Sequence, residues 1–345
     1  MLILYCGQLW DGGTCRMRME ALKTMGCAVM AVDSTCPTRG VIGLASRAAI
    51  KFGHALDTAG ANQKLLQLGR QQKPGIIWID KGLTIARATL EHLRNLCPKA
   101  RFVHYSLDDM SGRHNQSRDY LRGIPAYDLH VTNKSYNVAE LHSMGARKVL
   151  FVNNAYCRTT HEPMAVSDED RKSLGGPVGF IGAFETARAE SLWFLAKSGI
   201  QVRIWGEAWG KGWKKWGISH RHPNLTIENR ALFGADYAKA ICSFDINLCF
   251  LRKLNRDQQT TRSVEIPACG GFMLAERTAE HKLLFAEDKE AVFFATHQEL
   301  LAKCNHYLAH PLERQAIASA SRNRCLQSDY SYEKQLKAVL ASLES

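Results

Sequence analysis

The sequence predicts two α/β domains in tandem, each a doubly wound parallel sheet. Three observations carry that expectation: short apolar runs of strand length recur along the chain, segments of helical periodicity separate them, and the rhythm breaks once near the middle. Alternating strand and helix implies a parallel sheet covered on both faces. At 345 residues the chain exceeds the size at which one core usually stops growing, so two cores are the natural division.

In the first half the strand candidates are LILYCG (2–7), AVMAVD (28–33), GIIWID (75–80), RFVHYSL (101–107), YDLHVT (127–132) and KVLFV (148–152). Helices are expected over Cys15–Met25, Asn62–Gln72, Ile85–Leu96 and Asn137–Met144, the last capped by Gly145. These place a first domain over residues 1–155. Residues 156–177 are polar and punctuated by Pro163, Gly175, Gly176 and Pro177, which reads as a linker. The rhythm restarts in a second domain, 178–345, with VGFIG (178–182), QVRIWG (201–206), DINLCF (245–250), GFMLAE (271–276) and AVFFA (291–295). A last helix packing back on the first domain is also considered. Two Rossmann-like domains facing each other would line a central cleft with the carboxyl ends of their strands, where open parallel sheets bind ligands.

Composition narrows the function classes. The chain is 46% apolar and 23% charged, as in a globular protein. The net charge of +12 suggests phosphate-bearing partners, yet no block of five like charges occurs, so nucleic acid is not expected. Eleven cysteines without a C-x-x-C pair suit a reducing cytoplasm. MLILYCG lacks a basic n-region, and no apolar run reaches 18 residues, so neither signal peptide nor membrane span is expected. In TRGVIGLASRAAIKFGHAL (38–56), Arg39, Arg47 and Lys51 interleave with apolar residues. Ordinary packing is the favoured reading there, and peripheral contact with an anionic membrane face the alternative.

Candidate functional residues lie in the loops after the strands. Gly12, Gly13 and Arg16, with Arg18, follow the first strand at a helix start suited to an acceptor or a phosphate, although G-x-G-x-x-G is absent. Asp108 and Asp109 end the fourth strand, where they serve either as acceptor-side catalytic carboxylates or as a helix cap; His104 reads as a core histidine. Gly182 and Arg188 suit a diphosphate cradle. Four tryptophans (Trp205, Trp209, Trp213, Trp216) either stack a ring ligand or pack a loop. In RKLNRDQQTTRSVEIPACGGFMLAER (252–277), Glu265 can accept both ribose hydroxyls and Asp257 precedes it by eight residues. Arg262 supplies charge, and Gly270 and Gly271 end the helix.

That stretch, with FIGAFETAR, FAEDKEAVFF and HPLERQAIA, and with SLDD and YDLHVTNKSYNVAELHSMGARKV upstream, resembles the group 1 glycosyltransferases of the spore-maturation CgeB-like type. The resemblance implies a GT-B fold, with the acceptor on the first domain and a nucleotide-sugar donor on the second. It makes Glu265 the second acid of the family's E-x7-E pattern, holding the donor ribose. Asp257 takes the first position as Asp instead of Glu, which puts its contact with the sugar, and retaining stereochemistry, in question. It further implies catalysis with neither metal nor cofactor. The acceptor, whether glycan, lipid-linked, protein or small molecule, is undetermined, and a nucleotide-sugar epimerase or a catalytically silent nucleotide-sugar-binding protein are the alternatives.

Overall fold

The computed structural model describes residues 1–36, 40–206 and 211–344, and only the backbone of Gly40, Val41, Ile42, Leu44, Arg47 and Lys51. Two compact units form: Met1–Asn153 with Tyr332–Ser345, and Asn154–Ser331.

The first unit is built from β1 (Leu2–Gly7), α1 (Thr14–Thr24), β2 (Ala28–Asp33), α2 (Gly40–Lys51), α3 (Ala61–Gln72), β3 (Ile76–Asp80), α4 (Arg87–Leu96), β4 (Arg101–Ser106), α5 (Arg118–Gly123), β5 (Leu129–Thr132), α6 (Asn137–Ser143) and β6 (Val149–Phe151). The strands form one parallel sheet in the order β2-β1-β3-β4-β5-β6. β3, IIWID, is buried at every position, because helices cover both faces of a central parallel strand. Gly145, at φ 97°, follows α6 in the left-handed conformation that glycine adopts without a Cβ penalty.

The second unit holds α7 (Asp168–Leu174), β7 (Gly176–Ile181), α8 (Thr186–Lys197), β8 (Val202–Trp205), α9 (Gly212–Ser219), β9 (Leu225–Ile227), α10 (Gly234–Ser243), β10 (Phe244–Cys249), α11 (Arg262–Ala268), β11 (Met273–Glu276), α12 (Ala279–Leu284), β12 (Val292–Phe294), α13 (His297–Ala309) and α14 (Pro311–Gln327). Its parallel sheet runs β12-β11-β10-β7-β8-β9. One core lies under α8 and α13, around Phe180, Leu192, Trp213 and Phe250. The other lies under α10 and α11, around Ile241, Val264 and Phe293.

Residues 156–177, expected as a linker, belong to this unit. They include α7, which starts because the Ser167 hydroxyl accepts from the Asp170 amide while the Asp170 carboxylate accepts from the Ser167 amide. Tyr156 bridges to Ser331 at the other end of the unit's chain. The chain then re-enters the first unit as α15 (Tyr332–Glu344), where Leu336 and Val339 are buried and Gln335 accepts from the Tyr105 hydroxyl at 2.7 Å. No helix among the described residues is long and apolar enough to cross a membrane. Arg39 lies outside the described residues, as do the side chains of Arg47 and Lys51.

Candidate functional site

Strand order reverses between β7 and β10 in the second unit, and the loops leaving such a pair at their carboxyl ends diverge to open a crevice. Gly182 and Arg188 follow β7; Asp257, Arg262 and Glu265 follow β10. The fold therefore brings these five residues, separated by up to 83 positions in sequence, to one switch point.

Glu265 stands one turn into α11 and is 5% exposed. Its carboxylate accepts from the Tyr237 hydroxyl at 2.7 Å, and His161 Nε2 lies 3.8 Å from its other oxygen. His161 Nδ1 accepts from the Cys157 amide, which leaves the ring proton on Nε2, directed at Glu265. Burial holds the His161 pKa below the ordinary histidine range, against the pull of Glu265, so the ring is neutral. Glu265 is a buried carboxylate with no lysine or arginine ion pair among the described residues. It is held in place by the Tyr237 hydroxyl, with the neutral His161 ring nearby, and keeps acceptor capacity.

Beside it, Arg262 Nε donates to the Ile181 carbonyl, and its terminal nitrogens have no hydrogen-bond partner among the described residues. Arg188 is 3% exposed and donates to the Ala183 carbonyl at 3.2 Å; its Nε has no hydrogen-bond partner among the described residues and lies 3.8 Å from Glu185. Burial, reinforced by Arg262 and Arg252, pushes the Arg188 pKa down to about 10, with Glu185 and Asp257 opposing. Two arginines facing a buried third make a site that an anion would stabilise. Arg252 binds Glu185 at 3.1 Å, and its amide donates to Asp257.

Gly182 acts differently from the cradle expected. Its amide is engaged with the Trp205 carbonyl and its carbonyl with the Trp213 indole, so neither is open to a phosphate. What matters is the missing side chain: a Cβ there would fall 2.6 Å from Phe180 and 3.3 Å from Arg262. Gly270 and Gly271 do not join the cluster. They follow the C-terminus of α11, the end opposite Arg262, and line a cavity of about 170 Å³ with Arg171, Asp245 and Arg314. A Cβ on Gly271 would fall 2.7 Å from Ile241, so close packing accounts for that glycine. Trp213 and Trp205 are core residues, Trp216 packs on Trp193 and His220, and Trp209 lies outside the described residues.

In the first unit, Gly12 (φ 79°) turns the chain and Gly13 precedes α1, whose N-terminus has no side-chain cap. Arg16 pairs with Asp11. Arg18 faces inward: it binds Asp80 through two 2.9 Å hydrogen bonds and lies 4.3 Å over the Tyr105 ring. Asp108 meets Lys81 at 2.5 Å. Asp109 is 1% exposed and accepts from the Asn137 side chain and the Ser111 amide, so it organises its loop and does not present a carboxylate to solvent. That inward orientation runs against the catalytic role expected of Asp109. His104 is a core residue whose pKa burial and His130 push down to about 3, and it bonds the Lys81 carbonyl at 3.1 Å. Tyr237, His161, Glu185 and Arg252 complete the second unit's cluster unannounced by sequence; only Glu185, at the N-cap of α8, carried a local signal.

Residues 188–341 match a family model described as glycosyl transferase-like. No curated protein matches the chain. Among solved structures it is similar to Anabaena HepE in complex with UDP and glucose, at 14% identity over 99% of this chain and 100% of that one, TM-score 0.66. It is likewise similar to sucrose-phosphate synthase from Thermosynechococcus elongatus, at 11% identity over 99% of both chains, TM-score 0.70. A third is a Listeria monocytogenes protein described as a candidate UDP-N-acetylglucosamine 2-epimerase, at 10% identity over 100% and 96%, TM-score 0.59. At these identities the likeness is one of fold. The chain has the two-domain α/β fold of the GT-B class, and most of its second unit is similar to the glycosyl transferase-like family.

Proposed function

We propose that the protein is a CgeB-like glycosyltransferase that moves a sugar from a nucleotide diphosphate sugar to an acceptor hydroxyl by metal-independent catalysis. The observation that carries this is that Arg188 follows β7 while Arg262 and Glu265 follow β10, the two strands at the second unit's switch point, inside the matched family region. Glu265 accepts the ribose hydroxyls, while the two arginines neutralise the charge that builds on the departing diphosphate. Preset guanidinium groups supply the electrostatic stabilisation that a divalent cation gives elsewhere, and no cofactor takes part. Asp257, held by the Arg252 amide at 3.2 Å, lies beside the donor. Asp108 remains the acceptor-side carboxylate of this proposal.

The test is a thermal-shift screen against nucleotides and nucleotide sugars, beginning with UDP sugars because the HepE neighbour was crystallised with UDP and glucose. Product analysis on the donor so found then decides between classes. A sugar joined to an acceptor supports transfer, an isomerised donor with no acceptor means epimerisation, and binding without turnover means a silent binder. The same reading assigns the protein to the cytoplasm, and peripheral membrane contact through residues 38–56 would appear as salt-sensitive co-sedimentation with anionic vesicles.

A further inference from the structure

The corner between α13 and α14, outside the donor site, brings two imidazoles and a carboxylate together. His306 lies in the last turn of α13, His310 is the junction residue, and Glu313 opens α14 behind Pro311. One ligand atom from each lies within 4.8 Å of the others, and all three side chains are exposed. We propose that His306, His310 and Glu313 form a transition-metal site that clasps α13 to α14.

The His310 tautomer supports the assignment. His310 Nδ1 donates to the His306 carbonyl at 2.7 Å, which leaves its Nε2 as a lone pair on an exposed side chain. A ring nitrogen bonded to a backbone carbonyl while the other binds metal is the usual arrangement of a ligating histidine. His306 Nε2 lies 2.8 Å from Glu313 Oε2, and the two histidine rings stack at 4.2 Å with 21° between their planes. An ion with bonds of about 2.0–2.2 Å would displace the proton between His306 and Glu313, and binding it requires side-chain rotations that unstack the two rings so that their lone pairs converge. Two nitrogens and one oxygen suit Zn²⁺, Ni²⁺ or Cu²⁺ and not Mg²⁺ or Ca²⁺, with water completing the shell. Pro311, at the first turn of α14, fixes its own φ and so narrows the geometries the corner can adopt.

The experiment uses the full chain stripped with EDTA and titrated with ZnCl2 by calorimetry and by thermal melting, with MgCl2 in parallel. The expected result is saturable binding of one Zn²⁺ per chain with a raised Tm, and no response to Mg²⁺. His310→Ala and His306→Ala should each weaken Zn²⁺ binding by about tenfold or more, and Glu313→Gln by less. All three variants should bind nucleotide as the wild type does, because the donor residues lie elsewhere. Wild type that binds no Zn²⁺, or a His306→Ala/His310→Ala variant that binds it as well as wild type, overturns the proposal. The second outcome would place the ion on cysteines or other histidines.

Discussion

The two sheets share one architecture and differ in how they settle the charges at their carboxyl ends. In the first unit, Arg18 is buried and its pKa is nonetheless raised: burial works against the charge, and Asp80, with Tyr105 and Tyr5, outweighs it. Lys81 and Asp108 pair beside it, and Asp109 is bound into its loop. In the second unit, Arg188 is equally buried, and its neighbours Arg262 and Arg252 add to the strain. Glu265, close by, accepts from the Tyr237 hydroxyl and has no lysine or arginine ion pair among the described residues. A buried charge that the protein itself compensates is structural; one left under-compensated points to a ligand.

Breaking the compensated pair should give the largest effect. Arg18→Met strands Asp80 in the core and should cost about 3–5 kcal/mol of stability in urea unfolding. The matching change in the second unit, Arg188→Met, should leave stability level or higher while reducing affinity for the nucleoside diphosphate at least tenfold, through loss of about 1.5–3 kcal/mol. Equal loss of stability in both variants would erase the contrast drawn between the two arginines. Glu265→Gln should weaken nucleotide binding by a similar factor with little change in Tm, because the Tyr237 hydrogen bond can be kept; wild-type affinity in this variant removes the ribose assignment. Affinity for the diphosphate should also exceed that for the nucleoside, as calorimetry would report.

Smaller effects sharpen the account of the first unit. Asp109→Ala should cost about 1–3 kcal/mol of stability, since the Asn137 amide and the Ser111 amide lose their acceptor. Asp108→Asn breaks a partly exposed ion pair and should cost under about 1 kcal/mol. If Asp108 is the acceptor-side base, kcat falls by about a hundredfold or more while donor binding persists. Unchanged turnover in that variant would leave Asp108 as a surface partner of Lys81.

The sheets were legible because strand signals are local. LILYCG and AVMAVD coincide with β1 and β2, and Gly145 lies after α6 where its chemistry suggests. β9 escaped notice because two half-buried residues flanking the exposed Thr226 at a sheet edge carry no continuous apolar run. α7 was hidden by flanking glycines and prolines, although Ser167 and Asp170 spelled out its start. Within the site, Glu265, Arg262 and Arg188 could be read from their place after strands. Tyr237 and His161 could not, since they reach Glu265 from 28 and 104 residues away, and such pairings are settled only when the core closes. Gly270–Gly271 misled for a related reason: a glycine pair beside a helix end reads alike whether it faces a ligand or Ile241.

The return of Tyr332–Ser345 to the first unit sets an order on synthesis. As the chain emerges, Asn154–Ser331 is a contiguous stretch that has all its own strands and can fold on its own schedule. The first unit emerges earlier yet finishes later, because Tyr105 waits for Gln335 and Arg18 for the ring of Tyr332. Shortening the chain by those fourteen residues would therefore damage the half of the molecule made first and spare the half to which they are joined.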